Sequence, residues 1–298
     1  MIRTFRGLLD KFTWHGGARC IPVDEYRRAL ERGDREVQRL FYAGLMLRNG
    51  VYRTTFRYRL SDMFPLLTSL ARDLRPKPLR VLDVACSSGG STAELHEALR
   101  AAGIDCETYG SDPLIWADYA RRDDGVGMLF DHDGQVLQVD IGKWASPWRW
   151  RPRDRVLRPW LYARARRIVE READAFRACL KGPVPGFKSA KVSLLSSAAE
   201  GVPGLHFVEG DILHPTIEGR FGLIRAANIL NLGYFDPETI RAMGRALGER
   251  LEEDGVLLVV RSEDALKINR GTVFRKRSGR LVTEADANGG SEVKDLIG

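Results

Sequence analysis

Asp83, Asp112 and Asp211 each end or closely follow a short run that reads as a strand. A carboxylate in such a place can accept from two vicinal hydroxyls at once, or from an amino group. An aspartate there can equally cap the helix that follows the strand. Asp112 and Asp211 together, in order at successive strand ends, favour a ligand site over two separate caps. Between Asp83 and Asp112 lies a turn of small residues: Ala85, Cys86, Ser87, Ser88, Gly89 and Gly90. Bulky side chains would hold a ligand off, whereas small ones let it approach the N–H groups of a helix start. Ser91 with Glu94 three residues on has capping-box spacing and predicts where that helix begins. Asn228 follows a further apolar run, where its amide could bind a ligand, and Asn231 competes for the role. His206 alternates with apolar neighbours, which predicts a buried core histidine, and His132 sits in a turn. No catalytic base is assigned.

The elements that must position these residues show an α/β rhythm. Val81–Ala85, Cys106–Gly110, Leu205–Val208, Phe221–Ala227 and Val256–Val260 read as strands. The last is apolar throughout, as a strand buried on both faces should be. Thr92–Ala102 reads as a helix stopped by Gly103. A second starts at Asp236-Pro237-Glu238, an acidic cap with proline at the first helical position. Thr272–Lys276 and Arg280–Thr283 flank Ser278-Gly279 as an antiparallel hairpin. Ahead of the first strand, residues 22–49 and 61–76 are helical, with Gly33-Asp34 a break and Ser61 a predicted cap. Residues 1–76 are therefore expected to form a helical N-terminal cover, with 77–298 the α/β domain. Residues 114–204 are too many for one βα connection and read as an insert. It holds a hairpin at Asp131–Gly134 and a long helix from Arg158 to Leu180.

The 298 residues suffice for one large or two modest domains. No apolar run approaches the roughly 20 residues that span a bilayer. Four widely spaced cysteines, with no Cys/His cluster, argue against a zinc site and fit a reducing cytoplasm. No metal site is expected. Residues 147–171 hold nine arginines against Asp154 and Glu170, a net of +7 that equals the whole chain's excess. Such a patch could meet a nucleic acid or another acidic partner, or be a solvated, salt-bridged helix face. Trp144, Trp148, Trp150 and Trp160 crowd the same stretch, and they are expected to form the insert's own small core.

Asp83-Val84-Ala85-Cys86-Ser87-Ser88-Gly89 resembles the first motif of class I S-adenosylmethionine (SAM) methyltransferases. That motif is an acid followed by small residues at alternate positions, here Ala85, Ser87 and Gly89. The resemblance covers residues 78–112 and 204–285. It implies a Rossmann-like SAM methyltransferase sheet with a terminal antiparallel hairpin. It also implies that Asp112 grips the ribose hydroxyls of SAM, and that Asp211, beside Ile212, takes the adenine amino group. Phe221–Asp236 is similar to the fourth-strand segment of chemotaxis receptor methyltransferases, and Asn228 matches that pattern's asparagine. Ala227 departs from it, replacing an arginine, and two residues are inserted before Tyr234. The implied activity is methyl transfer from SAM to an unidentified acceptor, a small molecule being favoured. Two alternatives stay open: a non-catalytic module that holds an acidic partner through the insert, and a nicotinamide- or nucleotide-binding enzyme. The nicotinamide pattern G-x-G-x-x-G is met by only one glycine at Ala85, Ser87 and Gly90.

Overall fold

The computed structural model describes residues 20–45, 53, 58–148, 159–263 and 268–298. Residues 1–19 of the expected helical N-terminal cover lie outside them. The chain divides into two compact units, residues 56–115 with 198–298, and residues 1–55 with 116–197.

The first unit is the α/β body. A 3-10 turn, Ser61–Met63, leads into α3, Phe64–Asp73. Ser61 does not cap that helix as expected. Its hydroxyl donates to the Tyr58 carbonyl, and Pro65 instead presets the first turn. Then come β1 (Leu79–Val84), α4 (Gly90–Ala101) and β2 (Cys106–Asp112). After the insert follow β8 (Leu205–Glu209), β9 (Phe221–Ala227), α6 (Pro237–Glu249) and β10 (Leu251–Glu263). The unit closes with β11 (Ile268–Arg277), β12 (Arg280–Ala287) and the short α7 (Lys294–Ile297).

The seven strands form one sheet in the order β12-β11-β10-β9-β1-β2-β8. Strands β8, β2, β1, β9 and β10 are parallel, and β11 and β12 add the antiparallel hairpin. This is the α/β architecture expected, with a parallel-rich central sheet and the insert after β2. Alternation along the buried strands divides the core. Val81, Leu223, Leu258 and Val260 face Leu95 and Leu99 of α4 and Leu67 and Ala71 of α3. Leu82, Ile224, Leu257 and Val259 face Ile240, Met243 and Leu247 of α6. Asp236 caps α6 by accepting from the Thr239 N–H, as the sequence indicates.

The second unit begins with α1 (Val23–Arg32) and α2 (Arg35–Gly44). Gly33 separates them at φ +67°, a left-handed conformation that favours glycine. The insert supplies β3 (Trp116–Arg122), β4 (Val126–Phe130), β5 (Val136–Ile141), β6 (Trp144–Pro147), α5 (Pro159–Lys181) and β7 (Phe187–Ser193). These strands form a separate antiparallel sheet, β6-β5-β4-β3-β7. Only its β4–β5 hairpin is legible in the sequence. Its core joins Met128, Phe130 and Val139 to Leu161, Ile168 and Phe176 of α5. The tryptophans are not that core. Trp148 packs against it, but Trp144 and Trp160 are exposed and meet edge to face at 6.1 Å. Trp150 lies outside the described residues.

Candidate functional site

The parallel order β8-β2-β1-β9 puts four chain segments side by side along the carboxyl edge of the sheet. In an open α/β sheet this is the edge where ligands bind. Val84 pairs with Ser111 on one side and Ala226 on the other, and Asp112 pairs with Glu209. The turn after β1, Asp112 at the end of β2, Asp211 after β8 and Asn228 after β9 therefore share one rim.

The turn has an uncommon backbone. Ala85 and Ser87 stand at φ +55° and Gly89 at +73°, so every second residue is left-handed. Two of these are not glycine, a strained arrangement that persists only where the surroundings enforce it. Hydrogen bonds supply that enforcement. Cys86 N–H donates to the Ser111 carbonyl at 3.0 Å, and Ser87 N–H to Asp112 Oδ2 at 2.8 Å. Gly89 is required sterically as well, since a Cβ there would lie 2.6 Å from the Phe207 ring. The same ring sits 2.5 Å from where Gly110 would carry a Cβ.

Asp112 is buried at 5% exposure and organises the rim. Oδ2 holds Ser87, Oδ1 accepts from Leu114 N–H at 3.1 Å, and its carbonyl accepts from Gly210 N–H. Its two carboxylate oxygens thus fasten the turn after β1 and the segment that follows β2 to the end of that strand. Asp211 is partly exposed. Its Oδ1 accepts from the Leu213 and His214 amides at 2.7 Å each, and Oδ2 lies 3.0 Å from His214 Nδ1. Burial pushes this carboxyl up, but the His214 ring and the two amides outweigh it and hold it below the usual range. Ile212 beside it is buried in the core that α6 covers. Asn228 is left-handed at φ +60° and locks β9 to β10: Oδ1 accepts from Ser262 N–H at 2.7 Å. Ser262 Oγ continues to Asn269, whose amide donates to Asp62 and to the Arg59 carbonyl. Asn231 is buried and folds its own turn by accepting from Gly233 N–H.

Asp83 lies deeper in the sheet, two residues short of the level of Asp112. Its oxygens accept from Arg225 Nε at 2.8 Å and Nη2 at 2.6 Å, and from Thr92 Oγ1 at 2.5 Å. Both charged side chains are nearly inaccessible. Arg225 Nη2 also reaches the carbonyl and hydroxyl of Ser91. Ser91 is therefore not the helix cap that its spacing suggests. Gly89, left-handed, starts α4 two residues earlier, and the buried guanidinium takes the serine's acceptors. Glu94, the expected partner in the capping box, accepts instead from Tyr58 N–H. Sequence reasoning missed Arg225. The signal was available: one arginine in the otherwise apolar run Phe221–Ala227 needs a buried acid, and Asp83 stands in the neighbouring run.

The histidines also sort differently. His206 is exposed, not a core residue, because β8 is an edge strand; its ring lies tilted against Tyr109 at 5.0 Å. Among the described residues the buried histidine is His96, 2.9 Å from Thr108 Oγ1, and burial lowers its pKa. His132 is exposed, as its turn position suggests.

No protein-family model matches this sequence, and no curated protein matches it. Among solved structures the chain is similar to the PH0226 protein from Pyrococcus horikoshii OT3, at 14% identity, covering 81% of this chain and 79% of that one, with a TM-score of 0.34. It is similar to the N-methyltransferase NodS from Bradyrhizobium japonicum WM9 in complex with S-adenosyl-L-homocysteine (14%, 80% and 76%, 0.33). SAM-bound CalS10, an amino pentose methyltransferase from Micromonospora echinaspora, gives 15%, 76% and 71%, and 0.31. Against the first three solved chains that it matches, the chain spans 54%, 37% and 34% of their lengths. At TM-scores this low the likeness carries no argument about chemistry, and the site is read from its own geometry.

Proposed function

We propose that the chain is a SAM-dependent methyltransferase whose cofactor rests on the rim just described. One observation carries the reading: the Ser87 N–H to Asp112 hydrogen bond, which joins the small-residue turn to the acid at the neighbouring strand end. In this reading Ala85, Ser87 and Gly89 form the floor for the amino-acid portion of SAM, and Asp112 accepts from the two ribose hydroxyls. Asp211 and Ile212 border the adenine, one as acceptor and the other as apolar wall. Asn228 stands beside the transferring methyl. Asp83 acts through the turn, which it anchors by way of Arg225 and Thr92.

The residues fit such a ligand. Asp112 stands at the end of β2 directly against the turn, and the turn carries no side chain larger than cysteine or serine. When bound, SAM supplies an electrophilic methyl group, and transfer by SN2 displacement needs alignment and exclusion of water more than acid–base chemistry. The chain's own contribution is then to hold and orient. The acceptor is assigned only as a class, a small molecule.

The test is calorimetric titration of S-adenosylhomocysteine into wild type and Asp112→Ala. The expected result is clear saturable binding by wild type, weakened at least tenfold in Asp112→Ala. Equal, negligible heats in both would sink the proposal, as would tighter binding of NAD by wild type.

A further inference from the structure

The helix α5 carries one solvent-facing stripe that the methyl-transfer reading leaves unused. Trp160, Arg164, Arg167 and Arg171 recur at four-, three- and four-residue steps. At about 100° per residue they fall within a sector of roughly 60°, about 16 Å long. All four are exposed, Trp160 at 54%. None of the three arginines forms an ion pair among the described residues. The acids of the helix are already taken: Glu170 by Arg166, Glu172 by Arg122 and Asp174 by Arg177. Trp144 extends the aromatic end, edge to face with Trp160, and Lys143 stands 5.8 Å over its ring.

We infer that this stripe is a docking surface for single-stranded nucleic acid. The inference is independent of the methyltransferase reading. Two features select the partner. The cations are arginines, whose planar fork suits phosphate and stacks on bases. They continue from exposed indoles, which offer sequence-tolerant stacking platforms. A membrane surface fits less well, because a helix that lies on lipid must offer it an apolar face. Here Leu161, Ala165, Ile168 and Phe176 of α5 are buried in the sheet's own core. An acidic peptide would satisfy the arginines but leave the indoles unused.

The experiment uses the full chain and a fluorescein-labelled, mixed-sequence 20-nucleotide RNA, followed by anisotropy across a salt series. Wild type is expected to bind saturably. Arg164→Ala/Arg167→Ala/Arg171→Ala should weaken binding at least tenfold and reduce the slope of log affinity against log salt by about 2. Trp160→Ala should weaken it about tenfold with the slope unchanged. A charge-matched control, Arg241→Ala/Arg245→Ala/Arg280→Ala, should change little. These three residues are exposed in the other unit, and circular dichroism checks that every variant folds. Equal loss in control and stripe variants would reduce the effect to net charge and overturn the inference. So would displacement of the RNA by polyglutamate at equal charge, or absent RNA binding with retention on phosphatidylserine vesicles.

Discussion

Each of the two units buries an aspartate in its sheet, and the two are treated in opposite ways. In the parallel sheet, Asp83 faces Arg225 across adjacent strands in register, with Thr92 completing its shell. In the antiparallel sheet, the partners of Asp140 among the described residues are neutral: Val23 N–H at 2.8 Å, Gln138 Nε2 at 2.9 Å and Tyr119 Oη at 3.0 Å. Burial pushes Asp140 up to about 6, and pushes the Tyr119 phenol up as well. A buried carboxylate can thus be kept by a cation or by dipoles alone. The cation ties the strands rigidly to the turn they carry. The dipoles leave the group close to titrating, while it holds the first N–H of α1 from a strand 117 residues away.

Substitutions that break this contrast should rank as follows. Arg225→Met leaves Asp83 buried without its counter-ion and should cost about 3–5 kcal/mol in urea unfolding. Asp83→Leu combined with Arg225→Met should recover most of that, and a double variant no better than the single would refute the pairing. Asp140 should come next. Its folded pKa lies above the unfolded value, so the folded state binds the proton more tightly. Its contribution is fully present below about pH 4 and is lost as pH rises through about 6. Thermal unfolding followed from pH 4 to 7 should show this as a loss of about 2–3 kcal/mol. In Asp140→Asn that slope should vanish; an unchanged slope would clear Asp140 of the role. Gly89→Ala forces a Cβ toward Phe207 at positive φ and should destabilise the body by about 2 kcal/mol. Smallest is Asp34→Ala, which removes the side-chain cap of Val37 N–H on α2. About 1 kcal/mol is expected, and a denaturation midpoint unmoved by it would show the cap to be idle.

Legibility follows the range of the interactions. The β4–β5 hairpin and the Asp236 cap are set within a few residues, so turn and cap chemistry reveal them. Strands β3 and β7 escape notice because each is completed by the other, Trp116 pairing with Ser193. Phe187–Ser193 looks like loop in isolation, since its small and basic residues face solvent on the edge of that sheet. Ser91 illustrates the same limit at the site. Its local pattern says cap, but a guanidinium contributed 134 residues later takes its hydroxyl.

The order of strands and helices in the α/β body, the small-residue turn and the acids at the strand ends are all legible in the sequence alone. These depend on periodicity, turn propensity and backbone freedom, which act over a few residues. Long-range strand pairing settles which of those acids reach the carboxyl edge of the sheet and which is consumed within. Asp83 and Asp112 are the same residue type near the ends of neighbouring strands, and two residues of register separate their fates. Asp83 meets Arg225 inside the sheet, whereas Asp112 meets the main chain of the turn at its edge. That choice is set by strand pairing between segments 142 residues apart in one case and 25 in the other, and no local pattern encodes it.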